Sequence, residues 1–174
     1  MESTQKYEEL RNKTIPGLLL ERAKSSPGEV AYRAKKLGVY REVTWREFRD
    51  KVASCSMGLK QLGLKHGERL ALMGDPCEEY MISELAAEAL GAVTYGIYPT
   101  SSQKEVRYLM EDGGASIFVA EDQEYVDRIL PLFVDHSTGV GVKRDNRMIG
   151  VVTPQAAINA LVSANDQQSR TTRE

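Results

Sequence analysis

The chain has 174 residues, of which 41% are hydrophobic and 28% charged, and these are ordinary values for a folded domain. Its 23 basic and 25 acidic residues nearly cancel, which argues against a dedicated nucleic-acid-binding protein. Two cysteines are too few for a disulfide scaffold or a four-ligand zinc site, and no apolar run is long enough to span a bilayer. These features favour a cytoplasmic location.

The first predicted elements are a capped helix and a hairpin. Residues 1–13 are polar, and we expect them to be flexible. Thr14 is placed to cap a short helix with a proline in its first turn. Strands are then predicted over residues 30–34 and 39–43, where apolar side chains alternate with polar ones. A turn at residues 35–38 joins them into the one hairpin that the pattern predicts.

Thr44 opens the best-specified helix of the chain. Glu47 follows three residues later, which completes a capping box. The next apolar residues recur at spacings of three and four, so they predict one stripe of an amphipathic helix that Gly63 ends. The stripe consists of Trp45, Phe48, Val52, Cys55, Leu59 and Leu62.

Strands and helices alternate after this helix. Short apolar strands are predicted at residues 69–73, 92–97 and 116–120. A second capping box, Ser102 with Glu105, opens the helix before the third strand. This alternation predicts an α/β fold with a mostly parallel, helix-covered sheet. The buried helix stripe is predicted to consist of Met81, Ile82, Leu85, Ala86, Ala89 and Leu90, and the inward-facing residues of the next helix are Val106, Leu109 and Met110. A further helix, capped by Asp122, is predicted to carry Tyr125, Val126, Ile129 and Leu130.

The tail from residue 133 differs in composition from the preceding segment. Residues 135–146 are rich in glycine, hydroxyl and charged side chains and are expected to form a loop. A strand is predicted over residues 148–152 and a helix after Thr153, before a disordered end. The predicted organisation is a flexible N-terminus (1–13), a main segment (14–132) and a divergent tail (133–174).

Six short stretches within residues 14–132 carry a family resemblance, in the family's order and at its spacing. They are Thr44–Phe48, Gly63–Leu72, Leu85–Ala92, Gly96–Ser102, Glu105–Leu109 and Val119–Gln123. Together they resemble the N-terminal part of adenylate-forming acyl-CoA synthetases, the AMP-binding ligases that join fatty acids to coenzyme A. The runs Gly96–Thr100 and Glu121–Gln123 are most similar to the long-chain fatty-acid branch.

The resemblance implies a partial N-terminal domain of the adenylate-forming ligase fold. Full-length members use ATP, Mg²⁺ and coenzyme A, forming an acyl-adenylate and then a thioester. The family's phosphate loop, magnesium-binding Glu and catalytic Lys lie downstream of the matched segments, so no catalytic, cofactor-binding or metal-binding residue is assigned to residues 1–132. We therefore expect a truncated long-chain fatty-acid–CoA ligase that is inactive and binds no cofactor by itself.

Two alternatives remain open. The first is a non-catalytic interaction or dimerisation module, in which an uncovered sheet face recruits a partner or a second copy. The second is a small complete enzyme with its site in the loop Ser137–Lys143. There, glycines would let backbone N–H groups approach a phosphate and Lys143 would neutralise it. A flexible connector is the simpler interpretation of that loop, which fails the Walker pattern.

Two strand-to-helix junctions are candidate sites, because open α/β sheets bind ligands at the carboxyl ends of their strands. Tyr98-Pro99-Thr100 forms one junction, for which a turn before a capped helix is the better interpretation. Gly74-Asp75-Pro76-Cys77 forms the other. Asp75 is expected to cap the next helix, and Cys77 lies near a helix N-terminus, where thiolate is favoured.

The remaining candidate residues favour structural roles. Cys55 lies on the apolar stripe and is expected in the core, and Trp45 is expected to pack at the start of its helix. His66 and His136 fall in predicted turns or loops without ligand spacing. Neither a zinc site nor a Ser-His-Asp arrangement is therefore indicated.

Overall fold

The computed structural model describes residues 13–121 and 124–126, and the backbone of residues 143–144, 147–148 and 150–152. The predicted caps at Asp122 and Thr153, together with Ile129, Leu130 and His136, lie outside the described residues. The chain divides into two compact units, residues 1–52 and 53–174. Among the described helices, none has the length and apolar character needed to cross a membrane.

The first unit contains the predicted helix and hairpin. Helix α1, Ile15–Ser25, begins after Thr14, whose hydroxyl accepts the N–H of Gly17 at 3.2 Å. Strands β1, Val30–Lys36, and β2, Val39–Thr44, pair antiparallel. The two residues between them, Leu37 and Gly38, have φ values of 50° and 81°. Positive φ at both positions suits the twist of a two-residue hairpin loop.

Helix α2, Trp45–Gln61, follows the hairpin directly. Its capping box is confirmed, because the Glu47 carboxylate accepts the N–H and the hydroxyl of Thr44 at 2.7 and 2.8 Å. The predicted stripe is confirmed except at Leu62, which is 43% exposed because the helix ends before it. The buried members of the stripe are Phe48, Val52, Cys55 and Leu59.

The second unit is built on a parallel sheet. In chain order its elements are β3 (Arg69–Met73), α3 (Glu78–Ala89), β4 (Val93–Ile97), α4 (Gln103–Gly113), β5 (Ile117–Ala120), β6 (Lys143–Arg144), β7 (Arg147–Met148) and β8 (Gly150–Val152). The strand order in the sheet is β4–β3–β5–β8, and every pairing is parallel. Strand β5 and the last four residues of β3 are buried, as expected of strands covered on both faces.

Helices α3 and α4 cover opposite faces of the sheet. On one face, the hydroxyl of Thr94 donates to the Glu88 carboxylate of α3 at 3.4 Å. On the other face, the phenol of Tyr95 donates to the carbonyl of Leu109 in α4 at 3.2 Å. Neighbouring residues of a strand point to opposite faces of the sheet, so these two contacts place α3 on one face and α4 on the other. The α4 side encloses a core of Ala71, Met73, Ile97, Val106, Met110, Ala115, Phe118, Ala120 and Val126.

The buried face of α3 differs from the predicted one. Ser83 and Ala87 are buried, whereas Ala89 is exposed. The reason is a second neighbour, because the Ser56 hydroxyl of α2 donates to the carbonyl of Ala86 at 3.0 Å. The helix therefore packs against both the sheet and α2, which one apolar stripe does not reveal.

The tail contributes two pairings. Strand β8 falls within the predicted strand at residues 148–152 and extends the parallel sheet. Strands β6 and β7 form an antiparallel pair that was not predicted, and β6 lies within the predicted loop. Two-residue strands are too short to show an alternating pattern in the sequence.

Candidate functional site

The sheet of the second unit has a switch point between β3 and β5. The chain passes from β3 through α3 to β4, and then through α4 to β5 on the other side of β3. Ligands of open α/β sheets bind in the crevice outside the carboxyl ends of strands at such a point. Residues 74–77 leave β3 at this edge, and Glu121 leaves β5.

Asp75 and Glu121 connect the two strand ends. The N–H of Asp75 donates to Oε2 of Glu121 at 2.6 Å, and the N–H of Glu121 donates to the carbonyl of Met73 at 2.9 Å. Gly74 is buried against the Glu121 side chain, where an added Cβ would lie 2.6 Å from Cβ of Glu121. A carboxylate thus closes the first turn after β3, and it leaves no room for a side chain at position 74.

The prediction that Asp75 caps α3 is wrong. Cys77 is the N-cap, and its Sγ accepts the N–H of Tyr80 at 3.4 Å. Because the helix begins at Glu78, Asp75 lies two residues before the N-cap, too far back to accept the first-turn N–H groups. The side chain of Asp75 is exposed at the carboxyl edge instead.

The position of Cys77 at a helix N-terminus does not activate its thiol. Burial raises the pKa of Cys77, and the backbone N–H of Tyr80 only partly opposes this. The carboxylates of Glu79 and Glu121 raise the pKa further. The thiolate is therefore disfavoured, and the residue acts as a helix cap.

The other cysteine and the tryptophan have the predicted structural surroundings. Cys55 is buried, and burial raises its pKa more than the hydrogen bond with Ser83 lowers it. Trp45 is half-buried, with the guanidinium of Arg22 at 5.6 Å from its ring centroid and Phe48 at 6.4 Å.

A small space lies beneath the junction between β3 and α3. Its volume of about 10 Å³ is that of roughly one water molecule. Tyr80 reaches it from α3, and Gly96 makes room for the phenol, since an added Cβ there would lie 2.7 Å from the phenol oxygen. Burial and the carboxylate of Glu84 raise the pKa of Tyr80, so the phenol stays protonated. The lining is Leu72, Met73, Cys77, Tyr80, Val119 and Glu121.

The second junction, Tyr98-Pro99-Thr100, follows β4 at the same edge. Its carbonyl at Tyr98 accepts the N–H of Ser101 at 2.9 Å, while the Tyr98 side chain is 79% exposed. The second capping box follows, with the Glu105 carboxylate accepting the N–H and the hydroxyl of Ser102, each at 2.7 Å. The junction forms a turn and leads into a cap, as the sequence indicated.

The remaining candidates do not join this edge. His66 lies in an exposed turn before β3, at the opposite edge of the sheet. The loop residues 137–142 lie outside the described part of the chain, and of Lys143 only the backbone is described. Within the described residues, no three His, Cys, Asp or Glu side chains lie close enough to hold a metal ion.

Sequence reasoning did not identify the bond between Asp75 and Glu121. Glu121 carried part of the family resemblance, but it lies 46 residues from Asp75. No local spacing rule joins residues so far apart. Only the strand order indicates that the two residues are close, because the carboxyl ends of adjacent parallel strands meet at one edge of the sheet.

Comparisons with known proteins agree with this architecture. The family model described as AMP-binding enzyme matches residues 19–169. The long-chain-fatty-acid–CoA ligase FadD15 of Mycobacterium bovis is 30% identical over 118 residues, which cover 68% of this chain and 20% of that ligase. The uncharacterized protein Rv1549 of Mycobacterium tuberculosis is 29% identical over 103 residues, covering 59% of this chain and 57% of that protein.

A solved structure shows the same fold. The anthranilate CoA ligase AuaEII, in complex with anthranoyl-AMP, matches 83% of this chain with a TM-score of 0.66 and 20% sequence identity. The match covers 27% of the AuaEII chain. The chain therefore spans between a fifth and a third of the length of these two ligases.

Proposed function

Because the chain belongs to the AMP-binding enzyme family, we propose that it forms the N-terminal α/β part of a long-chain fatty-acid–CoA ligase. The observation that carries this choice is the 30% identity to FadD15, whose name states that activity. In the proposed reaction, the fatty-acid carboxylate attacks the α-phosphate of ATP and releases pyrophosphate. The thiol of coenzyme A then displaces AMP. Bound Mg²⁺ would offset the negative charge of the phosphates.

Within such a ligase, the proposed role of this segment is to shape the protein around the reacting groups. The bond from Asp75 to Glu121 supports this role, because it holds two strand ends at the edge where ligands of such sheets bind. We propose residues 14–132 as the ligase-like segment and residues 133–174 as a divergent tail. The family match runs past this boundary to residue 169.

The test begins with the source DNA, sequenced from the codons around Pro131 to well past codon 174. A downstream frame that encodes a Ser/Thr/Gly-rich loop ending in Lys would supply the remaining ligase. The joined protein is then assayed for fatty-acid-dependent ATP–pyrophosphate exchange and acyl-CoA formation, beside the 174-residue chain alone.

We expect activity from the joined protein and none from the 174-residue chain. Exchange by the short chain would contradict its proposed inactivity. Failure of the joined protein, with FadD15 active in the same assay, would contradict the proposed function. Acyl-CoA formation from long-chain acids in preference to aromatic acids would support the substrate class.

A second candidate function is a non-catalytic interaction module. It is favoured by the likeness to Rv1549, because the match covers 57% of that protein, whereas the match to FadD15 covers 20% of the ligase. Strand β4 is the last strand on its side of the described sheet, and its Val93 is 56% exposed. Such an edge can pair with another chain. Light scattering that gives one monomer mass over a wide concentration range would contradict self-association.

The proposed location is the cytoplasm. Both cysteines are free thiols, which a reducing compartment maintains. Fractionation of cells that express the tagged chain checks this proposal. Recovery of the chain from the cytosolic fraction is expected, and recovery from a secreted or membrane fraction would contradict it.

A further inference from the structure

A second concave site lies at the amino edge of the same sheet, opposite the edge described above. Its volume is about 480 Å³, within the range of roughly 300–1,000 Å³ that is usual for small-molecule pockets. It forms where α2 and α3 end and where the chain enters β3 and β4. The lining residues are Lys60, Gly63, Leu64, Lys65, His66 and Leu90.

One wall of this cavity is the end of α2, which is closed by backbone hydrogen bonds. The N–H of Gly63 donates to the carbonyl of Lys60, and the N–H of Leu64 donates to the carbonyl of Leu59, each at 3.0 Å. This pair of bonds is a Schellman motif, for which Gly63 supplies the required positive φ of 95°. The carbonyl groups of Leu59 and Lys60, in the last turn of α2, are therefore occupied by the chain itself.

The opposite wall is a loop tied to the start of both strands. The N–H of Gly67 donates to the carbonyl of Gly91, and the N–H of Val93 donates to the carbonyl of Glu68, each at 2.9 Å. The ring of His66 lies against Gly91, where any Cβ would collide with it. The cavity thus has walls fixed by backbone contacts.

The rim of the cavity is cationic and its floor is apolar. Lys60 and Lys65 are exposed, and neither ammonium forms an ion pair with any described carboxylate. The one acid of the loop, Glu68, accepts the backbone N–H of Lys65 at 2.9 Å. Leu64 is buried and Leu90 is half-buried beneath these charges.

We propose that this cavity binds a small amphipathic anion, namely a phosphate monoester or a carboxylate on a short aliphatic chain. The anionic group would lie between the ammonium groups of Lys60 and Lys65, and the chain would cover Leu64 and Leu90. Charge-assisted hydrogen bonds to an ammonium are stronger than neutral ones, and apolar contact adds area-dependent affinity. The site lies at the amino edge, so it does not depend on the ligase proposal.

The test is a titration of the full ¹⁵N-labelled chain followed by amide chemical shifts. The probes are hexyl phosphate and hexanoate. The control compounds are hexanol, which lacks the anionic group, and inorganic phosphate, which lacks the apolar chain. We expect saturable 1:1 shifts at Gly63, Lys65, His66 and Gly91 with at least one amphipathic anion. Hexanol and inorganic phosphate should bind about tenfold or more weakly. The two anions distinguish a phosphate site from a carboxylate site.

The matched variants are Lys60→Glu/Lys65→Glu and, on α4, Lys104→Glu/Arg107→Glu, which change the net charge equally. The first pair should weaken binding about tenfold or more, and the second pair should leave it unchanged. Lys60→Gln/Lys65→Gln replaces the first pair if that variant fails to fold, with the same expected loss. Lysines at helix ends also stabilise the helix dipole, so the decisive readout is ligand affinity rather than stability.

Three results would overturn the proposal. One is equal affinity of the wild-type chain and the cavity variant for the anionic probes. Another is a set of shifts that does not saturate or does not map to the cavity. The third is binding to vesicles of anionic phospholipid without binding of the monomeric probes, which would indicate attraction to a charged surface.

Discussion

The backbone N–H of Asp75 lies 2.6 Å from a carboxylate oxygen of Glu121, which follows it by 46 residues. This hydrogen bond joins the ends of β3 and β5 at the switch point of the sheet. The Glu121 side chain reaches Asp75 by lying over Gly74, which has no side chain of its own. The hydrogen bond between the two strand ends thus depends on the absence of a side chain at position 74.

Gly74→Ala should destabilise the fold by about 1–3 kcal/mol, because the new Cβ meets the side chain of Glu121. Urea denaturation measures the free energy of unfolding. The matched control is Gly28→Ala, where an added Cβ meets no atom within 4 Å. That control should stay within about 1 kcal/mol of the wild-type chain. Equal losses in the two variants would contradict the proposed contact.

Glu105→Gln should weaken the dependence of stability on acid pH. Hydrogen bonds from the backbone N–H and then the hydroxyl of Ser102 lower the pKa of Glu105 below its ordinary value of 4.5. Their stabilisation is complete above that ordinary value and is lost as the pH falls through the lower pKa of the folded state. Melting temperatures at a series of acid pH values check this, and the wild-type chain should lose more stability than the variant.

Glu111→Gln is the control for this experiment, because it changes an exposed carboxylate on the same helix. It should leave the acid dependence close to that of the wild-type chain. The same slope in the Glu105 variant and the wild-type chain would show that the capping carboxylate is not responsible.

Leu37→Asn should stabilise the hairpin of the first unit. Leu37 is 98% exposed and has a φ of 50°, a conformation that costs an ordinary L-residue about 1–2 kcal/mol. Asn adopts this region more readily, and Asn-Gly is the preferred pair for such a loop. Chemical denaturation should show a gain of up to about 1 kcal/mol. Val39→Asn, at an exposed strand position next to the turn, should show no gain.

Cys77 should react slowly with iodoacetamide at mildly alkaline pH. Burial is the main cause of its raised pKa, so a smaller fraction of the thiol is ionised than in a free cysteine. Mass spectrometry of a Cys55→Ser variant follows alkylation of Cys77 alone. A rate that exceeds that of glutathione under the same conditions would contradict the assignment and restore a reactive role.

The sequence predicted the local elements of this fold well and the long-range contacts poorly. Both capping boxes, at Thr44 and Ser102, are present because each depends on residues three positions apart. The strand at Arg69–Met73 was also predicted to the residue, since an apolar run between breakers leaves little choice. These features depend only on residues that are close together in the sequence.

The errors concern residues whose role depends on distant neighbours. Asp75 is a residue type that often caps helices, but the helix begins at Glu78 and Cys77 is its N-cap. The N–H of Asp75 instead donates to Glu121, which follows the end of β5. Ala87 is buried because α2 lies beside α3, which no periodicity in α3 reveals. The candidate edge was predicted from the alternation of strands and helices, but the contacts that close it join residues far apart in the sequence.

The order of strands in the sheet also affects how the protein is made. Strand β3 leaves the ribosome before β4 and β5, although it lies between them in the finished sheet. Its residues Leu70, Ala71, Leu72 and Met73 are all but fully buried at the end. During synthesis this apolar segment has no sheet neighbour until β4 emerges at residue 97, and it gains the second only when β5 is complete at residue 120. The interval is one in which chaperone binding competes with aggregation.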